Sequence, residues 1–311
     1  MILVFILYMF FASTFTFGKA ALLYIKPFLL VGIRMIVGGI LLLGYQKIRR
    51  IPWQLHWDDW KLLARIIVFH IYVPFMCEFW SLTQVISSKA CLIFNLSPFV
   101  TALLSIWYMQ PYMLSYVQWY GLIIGFFGLL PLVYAQTPLE FTLFSFISLQ
   151  EVSLFIAVIS SAYAWLVFKD LTTKQYSPVT INGFGMLFGG IAALLTSFII
   201  EGVPQIHYPI VSHDILLPYV QSIVPFVYIP IVLASIYIGL LILISNIICY
   251  NLYGFLLNKY SPTLISFAGF TTPLFAVLFG LIVLGEVITW HFFVALSAST
   301  LGLYLFYRDE L

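Results

Sequence analysis

The sequence predicts an all-α polytopic membrane protein of ten transmembrane helices arranged as two inverted five-helix repeats, and three observations predict it. The first is composition: 63% of the 311 residues are hydrophobic, 8% are charged and the mean hydropathy is +1.09, whereas soluble domains carry about a quarter charged residues. The second is that apolar runs of about 20 residues, the length that crosses a bilayer as a helix, succeed one another along the chain. The third is that three blocks of the first half recur in the second.

Broken by Pro, Gly or charge, the runs place helices at about 2–23, 28–46, 62–83, 86–108, 116–135, 149–168, 178–200, 229–256, 262–285 and 289–307. The first run meets no charge before Lys19, so the positive n-region of a cleavable leader is missing and the run reads as a retained span. Pro218, Pro225 and Pro230 break the apolar stretch 215–231, which is therefore assigned to a long loop or surface helix.

Lys and Arg in the loops set the orientation. With the N-terminus inside, Lys47, Arg49, Arg50, Lys61, Arg65, Lys169, Lys174, Lys259 and Arg308 are cytoplasmic, against Lys19, Lys26 and Lys89 outside. Both termini are then expected in the cytoplasm, with the loops 136–148 and 201–228, which lack Lys and Arg, facing outward from a cell inner membrane. Trp53, Trp57 and Trp60 suit the aromatic belt at the inner interface.

The repeat is read from matched Pro and Gly positions. PFLLVGIRMIVGGILLL lies over PVTINGFGMLFGGIAAL at an offset of 151, pairing Pro27/Pro178, Gly32/Gly183, Met35/Met186, Gly38/Gly189, Gly39/Gly190 and Ile40/Ile191. At an offset of 150, Ala12 and Lys19 match Ala162 and Lys169, and LSPFVTALLS lies over TTPLFAVLFG at 175. The predicted halves are 1–138 and 139–311, the second lengthened by the loop 201–228. Five helices per half invert the second half relative to the first, an architecture that places binding near the midplane between the halves.

Several classes are excluded. A net charge of +2 offers no basic face for nucleic acid. Cys77, Cys91 and Cys249 form no pair motif, and no cofactor or metal motif is present. His56, His70, His207, His213 and His291 are scattered without the clustering a membrane enzyme needs; His207, His213 and Asp214 share a loop that reads as solvated.

Charges inside spans cost about 2.5–3.5 kcal/mol on insertion scales and mark functional positions by default. Lys19, Arg34, Glu78 and Lys89 fall in one outer layer of the first half, with a positive excess that suits an anionic or zwitterionic small molecule. The bland alternative is a structural Arg34–Glu78 pair with Lys19 and Lys89 snorkelling to the headgroups. The second half offers amides instead, Asn182 and Asn246, the latter one turn from Tyr250. Trp80, Tyr163, Trp165 and Tyr253 are stacking surfaces. Pro98 and Pro273 are expected as kinks near the middle of the fourth and ninth helices, and Asn95 as a cap of the freed backbone or a substrate contact. His70 and Glu78 are the mid-helix groups able to carry a proton. Gly121, Gly125 and Gly128, with Ala298 and Gly302, mark close helix packing within the chain or in a homodimer.

Lys19 closing helix 1, Arg34 before Gly38-Gly39, the run SSKACLIFNLSPFVTALLS, Trp165, and SPTLISFAGFTTPLFAVLFGLIVLGE ending at Glu286 resemble the drug/metabolite transporter superfamily in its EamA branch. The pattern departs at Gln110-Pro111, where a Gly-Glu is usual, and at Phe11 or Phe15, which stand for a tryptophan. The resemblance implies a secondary transporter moving a small organic metabolite, amino acid-like or nucleoside-like, by alternating access. Some members in intracellular bacteria resemble exchangers of S-adenosylmethionine. A lipid or drug mover, or a channel-like facilitator of the same fold, is the competing expectation.

Overall fold

A computed structural model describes residues 2–50, 52, 57–108, 115–128, 148–203, 216–221, 223, 228–257 and 269–308. Every regular element among them is helical: α1 (Ile2–Ala21), α2 (Pro27–Ile48), α3 (Trp60–Leu82), α4 (Ser87–Phe94), α5 (Ser97–Tyr108), α6 (Tyr116–Phe127), α7 (Leu149–Thr173) and α8 (Pro178–Ile200). There follow the short α9 (Leu217–Gln221), then α10, made of the contiguous segments Ile229–Leu241, Ile242–Cys249 and Tyr250–Leu257, then α11 (Thr272–Leu284) and α12 (Trp290–Tyr307). α1, α2, α3, α7, α8 and the first two segments of α10 are each long and apolar enough to cross a bilayer. Shorter apolar helices accompany them, so the chain is an all-α, multi-pass membrane protein.

Two helices 151 residues apart start alike. Extended Lys26 precedes Pro27, and extended Ser177 precedes Pro178, so each proline opens its helix where its missing N–H breaks no bond. α2 and α8 cross antiparallel in close contact. Gly32 packs on Leu194 as Gly183 packs on Leu43, and Gly39 on Leu187 as Gly190 on Ile36; the repeat offset of 151 turns each contact into its partner. Small residues let the two backbones approach.

Two apolar cores flank this crossing. One joins α1, α2, α3, α8 and α10 around Leu30, Met35, Phe79, Met186, Leu233 and Tyr237. The other joins α1, α4, α5, α6, α7, α11 and α12 around Phe15, Leu92, Phe99, Leu154, Phe292 and Phe306. The glycines of α6 do pack closely, against α12 of the same chain: Gly121 and Gly125 face Gly302, and Gly128 faces Ala298. Ser81, Ser153 and Ser160 hydroxyls donate to the carbonyls of Gln150, Cys77 and Phe69, tying α3 to α7.

The proline expectation needs correction. The predicted fourth helix is interrupted at Asn95–Leu96, and Pro98 is the second residue of α5. Pro273 likewise is the second residue of α11, after a 3₁₀ turn at Gly269–Thr271. A proline ring clashes with the carbonyl four residues back inside a helix and does not in a first turn, so these residues begin helices rather than kink them. The loop 136–147, the stretch 204–215 with His207, His213 and Asp214, His56, Trp53, Gln110-Pro111 and Lys259 lie outside the described residues.

Candidate functional site

The site is built where α2, α3, α7, α8 and α10 converge. α3 and α10, the third helix of each predicted half, both widen into π-helical turns, at Ile66–Tyr72 and Ile242–Cys249. Val73 N–H bonds back to Val68 O, and Tyr250 N–H to Ser245 O, five residues away. In α3 a cause is local: Pro74 has no N–H to offer His70 O. Such turns break the regular i to i−4 ladder and recur at functional sites. They carry His70 on one side and Ser245 and Asn246 on the other.

Arg34 is the largest fully buried side chain among the described residues, at 1% exposure. Its guanidinium lies 4.7 and 4.8 Å from the ring centroids of Phe75 and Phe79. Nη2 donates to Ser245 Oγ at 3.4 Å and Asn246 Oδ1 at 3.5 Å, while Nε has no partner. Asn246 is oriented in return, its Nδ2 donating to Arg34 O at 3.2 Å, and Gly38 leaves the space it fills. Buried Glu78 interacts electrostatically with Arg34, yet the ion pairs within 4 Å among the described residues are Lys19–Glu286, Lys89–Glu151 and Lys174–Asp59. A guanidinium has five donors. Arg34 uses few of them, and weakly.

An aromatic wall adjoins this pair. Tyr250, in electrostatic reach of both Arg34 and Glu78, meets the His70 ring edge-on at 5.7 Å, and Trp165 meets it at 5.0 Å. Tyr253 lies 5.1 Å from Trp165. Asn182 on α8 stands beside the His70 ring but outside hydrogen-bonding geometry, and both His70 nitrogens and Asn182 Oδ1 are buried without a partner. Among the predicted site residues, the structure therefore brings together Arg34, Glu78, Trp165, Asn182, Asn246 and Tyr250.

The remaining predicted residues lie elsewhere. Lys19 Nζ donates to Val85 O at 2.6 Å and sits 3.5 Å from Glu286 Oε1. Glu286 in turn accepts from Ser87 N and Oγ, both at 2.8 Å, and Gly285, at φ +62°, makes the left-handed turn that delivers it after α11. Buried Lys89 pairs with Glu151, which also closes the capping box of α7 with Ser148. The expected positive excess is thus cancelled pair by pair: Lys19 by Glu286 and Lys89 by Glu151, acids far away in sequence. Trp80 is partly buried with no ring contact among the described residues, and Asn95 ends α4, its N–H bonding to Cys91 O and Leu92 O. Sequence reasoning missed Phe75, Phe79 and Ser245: phenylalanines are abundant throughout this chain, and a lone serine in an apolar span usually bonds its own helix backbone. Glu286 was visible only as the end of a motif.

The profile of the EamA-like transporter family matches residues 1–134 and 149–308. The chain is 30% identical over 305 residues to an S-adenosylmethionine/S-adenosylhomocysteine transporter of Chlamydia muridarum, covering 96% of this chain and 88% of that protein. A protein of the same name from Chlamydia trachomatis is 28% identical, covering 96% and 86%. A solved crystal structure at 15% identity and a TM-score of 0.57, covering 98% of this chain and 93% of that one, has the same fold.

Proposed function

The chain belongs to the EamA-like transporter family, a family of transporters rather than enzymes, and on that premise we propose that it exchanges S-adenosylmethionine for S-adenosylhomocysteine across a cytoplasmic membrane by alternating access. One observation carries the reading: Arg34 is buried with an unpaired Nε and two long hydrogen bonds, while Glu78 lies in its field without contact. Arg34 then takes the substrate carboxylate through charge-assisted bonds and Glu78 its ammonium group. Both ligands share that amino-acid end, so a neutral Arg34–Glu78 site serves both.

They differ at sulfur. Tyr250, Trp165 and Tyr253 attract a sulfonium through their ring faces and tolerate a thioether through sulfur–aromatic contact. Lys19 and Lys89 we assign to latches that join α1 to α11 and α4 to α7, not to the substrate. Ten spans in two inverted halves, 1–138 and 139–311, with both termini cytoplasmic, are supported by the exchange of contacts under the repeat offset at the α2–α8 crossing and by the bias of Lys and Arg. A zwitterionic ligand, not a plain anion, is supported by the pairing of Lys19 with Glu286 and Lys89 with Glu151, which leaves Arg34 with Glu78 in its field as the charged groups facing the ligand.

Counterflow in proteoliposomes tests this. Internal S-adenosylhomocysteine should drive uptake of labelled S-adenosylmethionine, Arg34→Met should abolish it at normal expression, and Arg34→Lys should retain part. Absence of counterflow with either ligand in the wild type overturns the proposal.

A further inference from the structure

A second set of unpartnered polar atoms lies beyond the Arg34–Glu78 pair. His70 is 3% exposed and Asn182 1%, and His70 Nδ1, His70 Nε2 and Asn182 Oδ1 all lack a hydrogen bond. A buried polar group left unpaired is costly, and in native structures it calls for an explanation. The two residues come from different helices, α3 and α8, so no local turn chemistry explains them. The rings around His70 exclude water while leaving its nitrogens unused: Trp165 at 5.0 Å, and Phe168 and Tyr250 at 5.7 Å each.

The order of groups is also informative. Tyr250 touches both ends, in reach of Arg34 and Glu78 on one side and edge-on to His70 on the other. A ligand with its charged end at Arg34 therefore meets aromatic surface next, then a paired donor and acceptor. We propose that His70 and Asn182 form the subsite that reads the hydrogen-bonding edge of a purine ring. Asn182 Oδ1 accepts from the exocyclic amine of adenine, and a His70 N–H donates to an adjacent ring nitrogen. An asparagine amide matches adenine's neighbouring donor and acceptor, and a neutral imidazole supplies one N–H and one acceptor. This rests on the S-adenosyl reading of the same site and assigns it a specificity that the transport activity alone does not.

The test compares two ligands on the purified wild-type protein: S-adenosylhomocysteine and its analogue with purine in place of adenine, which lacks only the exocyclic amine. Binding is measured by titration calorimetry and ligand-induced thermal shift. The amine should strengthen binding about 10- to 100-fold, since its loss strands a buried acceptor. Asn182→Ala should lose that preference and bind both ligands equally, and His70→Leu should weaken both. Equal binding of the two ligands by the wild type overturns the subsite, as does an amine preference that survives in Asn182→Ala. If a variant fails to fold, the wild-type comparison still stands against equal binding. Counterflow of S-adenosylmethionine without amine preference would leave the transport reading intact and remove this inference alone, whereas a wild type that binds neither ligand removes both.

Discussion

Gly39→Ala probes the close crossing of α2 and α8. An ideal Cβ at Gly39 would stand 2.6 Å from Leu187 N and 2.9 Å from Gly183 O and Leu187 Cα. Carbon contacts are comfortable at about 3.5–4.0 Å, so α2 and α8 must separate by about 1 Å, and because the obstacles are backbone atoms no side chain can swing aside. Overpacking of this kind costs about 1–3 kcal/mol. Alanine also gains about 1 kcal/mol of helix propensity over glycine, which would hide part of the loss. Gly44→Ala on the same helix has nothing within 4 Å and collects the propensity gain alone, so the difference between the two variants isolates the steric cost. At about 2–4 °C per kcal/mol for a large domain, Gly39→Ala should melt about 2–12 °C below Gly44→Ala in detergent. Gly190→Ala should fall with it, its Cβ lying 2.7 Å from Ile36 N. Equal melting of Gly39→Ala and Gly44→Ala would refute the close crossing and the two-fold exchange of contacts drawn from it.

Other outcomes follow from the latches at the two faces. Lys89→Met should strand the Glu151 charge in the interior and cost about 3–5 kcal/mol, and replacing Glu151 by Leu as well should restore much of it; thermal melting of the single and double variants decides. At the C-terminal end of α7, the hydrogen bond to Asp59 raises the Lys174 pKa above its ordinary 10.5. A raised amine pKa stabilises the fold fully below the unfolded value and ceases to do so as pH climbs through the folded one. The melting difference between wild type and Lys174→Met should therefore be constant near neutral pH and shrink as pH climbs past the ordinary lysine value and through the raised folded one; a difference that grows with pH would contradict the pair.

The all-helical, membrane-spanning class was legible because bilayer thickness and backbone hydrogen bonding leave few solutions for so apolar a chain. Pro27, Pro178 and the paired glycines marked the helix starts and the close α2–α8 crossing for a similar reason, since each answers a local steric demand that shows as residue type. Arg34, Glu78, Asn182 and Asn246 stood out because polar groups are rare in an apolar span and their cost makes them conspicuous. Their partners did not. Glu286 reaches Ser87 and Lys19 from about 200 and 267 positions away, and only the folded chain pairs Lys89 with Glu151 and so turns an apparent excess of positive charge into neutral latches. Pro98 and Pro273 were legible as breaks, but whether a break bends a helix or begins one depends on the backbone preceding it. Composition and local sterics thus determined the membrane fold and the residues worth suspecting. Which of them meet, and which are neutralised, was decided by tertiary structure, because charge pairing and buried side-chain contacts join helices that share no sequence neighbourhood.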